Sequence, residues 1–337
     1  MNLNTLASLA GVSVATVSKA FSGNREISPE TRERIFALAR EHGCFDKYNK
    51  NKFEKKVIAV ICPELISDYY NALTTILDRE LSARGGIMTV SVSSFDYDRE
   101  RELFAYYTSY CKADGIIVVN PHGPIVNPLV FPSVAIGSKH VHENTDTIHL
   151  SIERAIEDAV RYLKELGHTD IGFAGEMLTM SKLRAFEDAM QQVGLPIHQQ
   201  WIKVSEARFE QSGICAAEEW IREGQLPTAI LTGYDYIAIG VIKTLRRHGI
   251  RVPEDVSVIG MDNIALAPYL ETSLSSVCTH NELACKQAVE LIMKKLGNQY
   301  YHPREEIVIP SEFIPRGSTG PVPVSSPFTI RVTQEGD

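Results

Sequence analysis

The sequence lacks both the long apolar stretch of a membrane protein and the paired cysteines of a metal or disulfide protein. No apolar run reaches the roughly 18 residues that suggest a membrane span, and the polar N-terminus does not have the pattern of a secretory signal. The six cysteines are scattered without a Cys-x-x-Cys pair, which argues against a zinc site or a disulfide framework. With 44% hydrophobic and 23% charged residues, the chain is expected to be a globular cytoplasmic protein with reduced thiols.

The common signatures of catalytic sites are also missing. The chain has no Gly-x-Ser-x-Gly elbow, no Gly-x-x-x-x-Gly-Lys phosphate loop and no His-Glu-x-x-His motif. His140 and His142 lie two residues apart near a predicted strand end, which could place both on one side. Without a third ligand, however, a surface loop is the more common role for such a pair. We therefore expect a binding protein without cofactor or metal rather than an enzyme.

Charge is distributed unevenly along the chain, although the formal net charge of −8 does not by itself favour nucleic acid as a partner. Residues 1–56 carry ten Lys and Arg against six Asp and Glu, a net of +4. The remaining residues carry 24 against 36, a net of −12. A small basic module on a large acidic body is typical of a protein that contacts phosphate with one end only.

The first 22 residues have the pattern of two short helices joined by a tight turn. Leu6, Leu9 and Ala10 recur at the spacing of one helix face. Gly11 permits the backbone to leave the first helix, and Ser13 can cap the second by accepting from backbone N–H groups. This pattern fits a helix-turn-helix, but a plain helical hairpin has the same pattern.

In a helix-turn-helix, the N-terminal residues of the second helix face base edges in the DNA major groove. Here those residues are Val14, Ala15 and Lys19. Lys19 can donate to guanine O6 and N7, whereas the other two offer only apolar contacts, so direct readout is expected to be sparse. Five hydroxyl groups are placed to donate to phosphate, those of Ser13, Thr16, Ser18, Ser22 and Thr31. The hydroxyl of Ser18 could equally bond within its own helix.

This stretch resembles the DNA-binding headpiece of the lactose-repressor (LacI/GalR) family. The resembling residues read Leu-Ala-Gly-Val-Ser-Val-Ala-Thr-Val-Ser-Lys at 9–19, Phe-Ser-Gly-Asn at 21–24 and Ile-Ser-Pro-Glu-Thr-Arg-Glu-Arg-Ile at 27–35. Gly167-His168, the turn at Asp262 and residues 312–319 resemble the same family, whose body has the fold of periplasmic sugar-binding proteins. The resemblance covers about residues 2–319 and implies sequence-specific DNA binding.

A third helix and a linker complete the predicted N-terminal module. Ser28 and Pro29 open the helix, and His42-Gly43 ends it, so the headpiece is expected to occupy residues 1–43. Residues 44–56 are polar and lysine-rich and predict a linker. In the resembling family this segment forms a hinge helix whose leucine enters the minor groove, and Phe53 stands at that position here. A lysine-rich tether with Phe53 packed on the body is the alternative.

From residue 57 onward, apolar runs of strand length alternate with segments of helical periodicity. This alternation predicts an α/β body of two parallel sheets with helices on both sides, forming two lobes with a cleft between them. The body is expected to span residues 57–319, and residues 320–337 are expected to be a disordered tail without a coiled coil. The predicted strands are 57–62, 88–92, 115–119, 134–136, 170–174, 229–231, 256–260 and 274–277, and the predicted helices are 70–83, 99–110, 151–166, 183–193, 237–247 and 282–296.

The resemblance also implies an effector site in the cleft, with departures from the family pattern. Lys182 aligns with the arginine that clamps the effector in the family, and Lys loses the bidentate fork of Arg. The family's usual Asn-Asp pair is Tyr234-Asp235 here, and its Asp-Asn pair is Ser151-Ile152. The implied effector-binding residues are Tyr69, Tyr70, Lys182, Tyr234, Asp235 and Asp262. As alternatives, Asp235 caps the helix that follows it, and Lys182 is a solvated surface charge.

Together these features predict a homodimeric transcription regulator, a repressor that reads a palindromic operator in double-stranded DNA. Its effector would be a small sugar or sugar phosphate bound in the cleft. The alternative is a cytoplasmic sugar-binding module that does not bind an operator.

Overall fold

In the computed structural model the chain divides between Lys56 and Val57 into two separate units. The structure describes residues 1–22, 24, 26–48, 55–111, 113–128, 130–137, 140, 142–297 and 304–323. Phe53, predicted to enter the minor groove, lies outside these residues, as does nearly all of the predicted hinge segment beyond residue 48.

The first unit is a small helical domain with the predicted helix starts. The Ser13 hydroxyl accepts the N–H of Thr16 at 3.0 Å, Ser28 caps its helix in the same way, and Gly11 has the positive φ of +63° that ends the first helix. The local signals for these helix boundaries are therefore confirmed. The helices are α1 (Leu3–Leu9), α2 (Val14–Phe21), α3 (Pro29–Glu41) and α4 (Phe45–Tyr48).

Phe21 is the centre of the small core of this domain. Its ring centroid lies 5.0 Å from that of Phe36, 5.8 Å from that of Phe45 and 5.9 Å from that of Tyr48. Residues 44–48, which the sequence assigned to the linker, therefore belong to the packed domain, because two aromatic rings outweigh their polar neighbours. Leu9 was predicted to lie on the buried face of the first helix, but it is 50% exposed and lies off that face.

The second unit consists of two lobes, each with a six-stranded sheet covered by helices on both faces, as predicted. In the first sheet the order is β11-β5-β4-β3-β1-β2, and in the second it is β12-β10-β9-β8-β6-β7. The strands are β1 (Lys56–Cys62), β2 (Gly86–Val92), β3 (Gly115–Val119), β4 (Ser133–Ile136), β5 (Asp146–Ser151), β6 (Ile171–Glu176), β7 (Ile202–Ser205), β8 (Ala229–Thr232), β9 (Ser257–Met261), β10 (Ser275–Cys278), β11 (Glu306–Pro310) and β12 (Glu312–Ile314). The helices are α5 (Asp68–Ala83), α6 (Tyr97–Ser109), α7 (Glu153–Glu165), α8 (Met180–Val193), α9 (Glu210–Arg222), α10 (Asp235–Arg247) and α11 (Asn281–Gly297).

Buried apolar residues separate each sheet from its helices. Helices α5 and α11 cover one face of the first sheet and α6 covers the other, whereas α7 and α8 cover one face of the second sheet and α9 and α10 the other. Neighbouring strands pair in parallel, for example β3 with β4 and β8 with β9, and β12 runs antiparallel to β10. Parallel strands place their carboxyl ends at one edge of the sheet, which is where ligands bind in such folds.

The chain passes between the two lobes three times: after β5, after β10 and after β11. The first crossing was predicted as the start of a helix at residue 151, but Ser151 ends β5 and the helix begins at Glu153. Strands β5, β7, β11 and β12 and helix α9 were not predicted as elements. The apolar runs of the four strands are short, and pairing with neighbouring strands supplies what the local pattern does not.

The predicted tail begins later than residue 320. The carbonyl of Gly320 lies 3.0 Å from Nε2 of the buried His168, and the N–H of Val322 donates to the Leu166 carbonyl at 2.9 Å. Residues 320–322 are therefore bound to the second lobe. The rest of the predicted tail, from residue 324, lies outside the described residues.

Candidate functional site

A cavity of about 380 Å³ lies between the two lobes at the carboxyl ends of the strands. Almost every strand end contributes to its wall, because the segment that leaves each strand turns over the edge of the sheet. Side chains at the ends of β1, β3, β6, β7, β8 and β9, or in the segments that follow them, form most of this wall.

One ion pair connects the two lobes across this cavity. Arg208, which follows β7, donates to both carboxylate oxygens of Glu64, which follows β1, at 2.6 and 3.0 Å. Its Nε also donates to Glu176 at 3.3 Å, and its guanidinium lies over the ring of Phe209, 4.5 Å from the centroid. Hydrogen bonding to Glu64 raises the pKa of Arg208 above its ordinary value. The pair is bidentate and Glu64 is buried, so its geometry is that of a strong charge-assisted contact.

A second contact bridges the lobes beside the first. The phenol of Tyr236, in α10, donates to the carboxylate of Asp68 in α5 at 2.8 Å. Burial and the bond to Asp68 raise the pKa of Tyr236 to about 12, which keeps the phenol protonated as a donor. We call the four residues Glu64, Asp68, Arg208 and Tyr236 the lobe clamp. Both contacts hold the lobes in one relative position.

Lys182 and Asp262 lie together on the wall of the second lobe. The ammonium of Lys182 donates to the Asp262 carboxylate at 3.1 Å and to the carbonyl of Gly233 at 2.8 Å. Burial raises the pKa of Asp262, and Lys182 opposes that shift. Asp262 has a φ of +97°, a conformation that is costly for a residue other than glycine. Lys182 is therefore a paired cleft residue, and the interpretation of a solvated surface charge is wrong.

Asp235 is completely buried and has another role than the predicted helix cap. Its two oxygens accept the hydroxyl of Ser276 and the N–H of Ile264, both at 2.7 Å. Burial raises its pKa to about 7. These bonds tie the start of α10 to β10 and to the turn after β9. The cap position of α10 is Tyr234, and it makes no side-chain capping bond.

Aromatic rings line both sides of the cavity. On the first lobe, Tyr69 and Tyr70 are half-buried with ring centroids 5.1 Å apart, and the amide of Asn120 donates to the Tyr70 phenol at 3.2 Å. On the second lobe, the Tyr234 phenol accepts the N–H of Phe209 at 3.1 Å. Burial raises the pKa of Tyr70 and of Tyr234 above the ordinary range of a phenol. The cavity thus offers flat apolar faces and neutral hydroxyls.

The predicted effector residues therefore come together, but several of their neighbours were not predicted. Glu64, Asn120 and Glu176 each follow a strand that was predicted, so their position at a strand end was a usable signal. Arg208 follows β7, a strand of four half-buried residues that gives no pattern of its own.

The rings of His140 and His142 lie with their centroids 6.4 Å apart. His142 is buried and its Nδ1 accepts the N–H of Ile125 at 2.9 Å, so the predicted surface loop is wrong for this residue. His140 lines the cavity. Within the described parts of the chain, no group of three His, Cys, Asp or Glu side chains is placed to hold a metal ion.

Buried Glu100 holds the backbone of a residue that lines the cavity. Its carboxylate accepts the N–H of His122, a cavity residue, at 3.2 Å. Burial raises the pKa of Glu100 from 4.5 to about 7.

This shift predicts a stability that falls as the pH rises. Between pH 4.5 and 7 the folded state binds a proton that the unfolded state has lost, so the contribution of Glu100 is complete below pH 4.5 and is lost through pH 7. Its full span is roughly 3 kcal/mol. Glu100→Gln, which keeps an acceptor for His122, should flatten this part of the pH dependence in urea unfolding. The exposed Glu102→Gln on the same helix should not, and an equal flattening by both would contradict the assignment.

The headpiece presents one exposed face of α2. Val14, Ala15, Ser18 and Lys19 lie on this face, whereas Val17 and its neighbours at helical spacing are buried in the core. The ammonium of Lys19 donates to Glu26 at 2.6 Å, and both side chains are at least half exposed. An exposed pair of this kind is weak and can open in favour of another acceptor.

Four of the five predicted phosphate-contacting hydroxyls have local hydrogen bonds. Those of Ser13 and Thr16 lie 2.8 Å apart in the cap of α2. The hydroxyl of Ser22 donates to the Lys19 carbonyl at 3.1 Å, and that of Thr31 accepts from Ser28 at 2.9 Å. All except the half-buried Thr16 and Thr31 are exposed.

A capped helix-turn-helix domain joined to a bilobed body with a ligand-sized cleft is the domain combination of a transcriptional regulator. Comparisons with known proteins identify the family. Residues 2–44 match the model of bacterial regulatory proteins of the LacI family, and residues 160–319 match that of periplasmic binding protein-like domains. The chain thus combines a LacI-family DNA-binding domain with a periplasmic binding protein-like domain, the domain combination of LacI-family transcriptional regulators.

Similar proteins extend over nearly the whole chain. The HTH-type transcriptional repressor CytR of Escherichia coli is 27% identical over 326 residues, which cover 93% of this chain and 95% of CytR. A LacI-family regulator from Silicibacter pomeroyi matches with a TM-score of 0.72 and 20% identity over 95% of this chain and 99% of that one. A LacI-family regulator from Enterococcus faecium with bound ribose matches with a TM-score of 0.67 and 20% identity, covering 79% and 99%. The two structural likenesses concern the fold. No helix in the described parts of the chain is long and apolar enough to cross a membrane.

Proposed function

We propose that this protein is a homodimeric repressor that binds a palindromic operator through its headpieces and responds to a small sugar-like effector in the cleft. The observation that carries the proposal is the exposed, Ser13-capped face of α2, on which Val14, Ala15 and Lys19 lie together above a packed core. A face of this size, at the N-terminal part of the second helix, fits the major groove. Because α2 offers only one long cationic donor, half-site spacing and phosphate contacts supply much of the specificity.

The cleft supports the ligand-controlled part of the proposal. Its walls belong to two lobes that are held by the lobe clamp, so a ligand that changes the clamp changes the relative position of the lobes. If the ligand and the DNA each prefer one of two lobe arrangements, the binding of one changes the affinity for the other. The coupling free energy is the same in both directions. We propose that Tyr69, Lys182 and Asp262 contact the effector, whereas Asp235, whose oxygens are already occupied, orders the turn behind them.

DNA binding tests the proposed function. Fluorescence anisotropy of the full chain with labelled DNA from its own promoter region, measured against salt, should show binding that weakens steeply with salt and is stronger than binding to scrambled DNA. Equal affinity for both sequences would contradict operator recognition. Sugar binding without specific DNA binding would favour the alternative of a sugar-binding module.

Lys19→Ala is expected to reduce discrimination between operator and scrambled DNA by about tenfold, because a lost base contact costs roughly 1–3 kcal/mol. Nonspecific affinity should fall only slightly. Arg34→Ala removes the same charge from an exposed position of α3 and serves as the control. The control should weaken binding to operator and to scrambled DNA equally. If Lys19→Ala does the same, Lys19 contacts phosphate and does not read a base.

A further inference from the structure

The cavity wall carries an excess of acidic side chains. Five carboxylates line it, against two cationic side chains. The acids are Glu64, Asp68, Glu176, Asp235 and Asp262, and the cations are Lys182 and Arg208. Even with Asp235 protonated, the wall has a net negative charge.

Both cations are already paired within the wall. Arg208 donates to Glu64 and Glu176, and Lys182 donates to Asp262 and to the carbonyl of Gly233. An anionic ligand such as a sugar phosphate would have to break one of these contacts and leave a buried carboxylate without its partner, which is costly. The cavity therefore disfavours phosphate.

Glu176 provides an independent sign of what the cavity accepts. Its side chain is 1% exposed, and only one of its oxygens, Oε1, is held by Arg208. The other oxygen, Oε2, is buried and makes no hydrogen bond of standard geometry in the described part of the chain, while the Tyr234 phenol interacts with the same carboxylate. A buried carboxylate oxygen without a donor is unfavourable, so a ligand that donates to it gains what the protein leaves unsatisfied.

The rings beside Glu176 suit the rest of such a ligand. Phe209 and Tyr236 lie on the second lobe with centroids 6.3 Å apart, and Tyr69 faces the cavity from the first lobe. Aromatic faces pack against the apolar face of a sugar ring, and they also attract a cation that has lost part of its water.

We infer that the effector is a sugar that carries a protonated amine, and that the cleft rejects phosphorylated sugars. This inference rests on the proposed effector role of the cleft. The ammonium donates to Oε2 of Glu176, while Lys182 remains paired with Asp262 and the sugar ring packs on the aromatic faces. The ammonium thus reduces the net negative charge of the wall.

Calorimetry on the full chain tests this inference. The probes are glucosamine, galactosamine and mannosamine, each with its neutral parent hexose, its N-acetyl derivative and its 6-phosphate, near neutral pH. At least one amino sugar should bind ten times or more tightly than its parent and its N-acetyl derivative, and the 6-phosphates should bind more weakly still. Binding of a parent hexose or a phosphate as tightly as any amino sugar would overturn the inference, and so would the absence of binding by all three amino sugars.

A variant separates the charge of Glu176 from its shape. Glu176→Gln should remove the preference for the amino sugar, measured as the ratio of its affinity to that of the neutral parent. Glu218→Gln, an equal change at an exposed position of α9, should keep the preference. Thermal unfolding of both variants checks that they are folded. Retention of the preference in Glu176→Gln would overturn the assignment of the ammonium site.

The same samples distinguish failure of this inference from failure of the proposed function. Operator binding without ligand is measured by anisotropy on the protein used for calorimetry. Specific DNA binding with no amino-sugar preference rejects only the ligand class, whereas loss of operator specificity rejects the proposed function.

Discussion

Replacing Phe21 with alanine is expected to unfold the headpiece and abolish operator binding. Phe21 is 4% exposed and contacts three other aromatic rings, so its removal costs about 3–5 kcal/mol. At roughly 0.1 kcal/mol per residue, a domain of about 48 residues has only about 5 kcal/mol of stability. The loss is therefore comparable with the whole free energy of unfolding of this domain.

Two measurements check this prediction. Operator binding by anisotropy should fall by at least a hundredfold, while thermal unfolding of the body should stay unchanged because Phe21 belongs to the other unit. Leu9→Ala is the matched control, since Leu9 is a large apolar residue of the same domain but is 50% exposed. An operator affinity in Phe21→Ala close to that of the unaltered protein would contradict the central role of this ring.

Replacing Arg208 with alanine is expected to release the lobe clamp. The change removes the bidentate contact to Glu64 and leaves two buried carboxylates, Glu64 and Glu176, without their cation. Breaking a fully buried pair costs about 3–5 kcal/mol. Because the Arg208 side chain is 34% exposed, we expect a smaller loss of about 2 kcal/mol. Of the two bridging contacts, only that between Tyr236 and Asp68 then remains.

Small-angle X-ray scattering should show a larger radius of gyration for Arg208→Ala, and urea unfolding should show the loss of stability. Arg246→Ala is the control: its side chain is also 34% exposed and paired, but its partner Glu271 is 85% exposed. This exposed pair should contribute less than 1 kcal/mol and should not affect the dimensions of the molecule. Equal behaviour of the two variants would show that Arg208 does not hold the lobes together.

The headpiece is the part of the protein that its sequence determined almost completely. Ser13 and Ser28 cap the helices they precede, and Gly11 has the conformation that ends α1, because these signals act over two or three residues. The continuous apolar runs such as Gly115–Val119 likewise predicted the parallel strands of two lobes, since burial on both faces leaves no polar positions. The domain boundary was less well predicted, because Phe45 and Tyr48 join the core only through contact with Phe21.

The cleft was decided by tertiary structure. Family resemblance brought Tyr69, Lys182 and Asp262 to attention, but their pairing depends on strand ends that are far apart in sequence. Arg208 and Glu64 are separated by 144 positions and lie on different lobes, so no local pattern relates them. Asp235 has the residue type and position of a helix cap, yet burial and the donors Ser276 and Ile264 give it another role. The sequence by itself determined what depends on neighbouring residues, the helix caps and the buried strands. Only the packing of the lobes decided which charges meet, because charge pairing depends on distance in space and not along the chain.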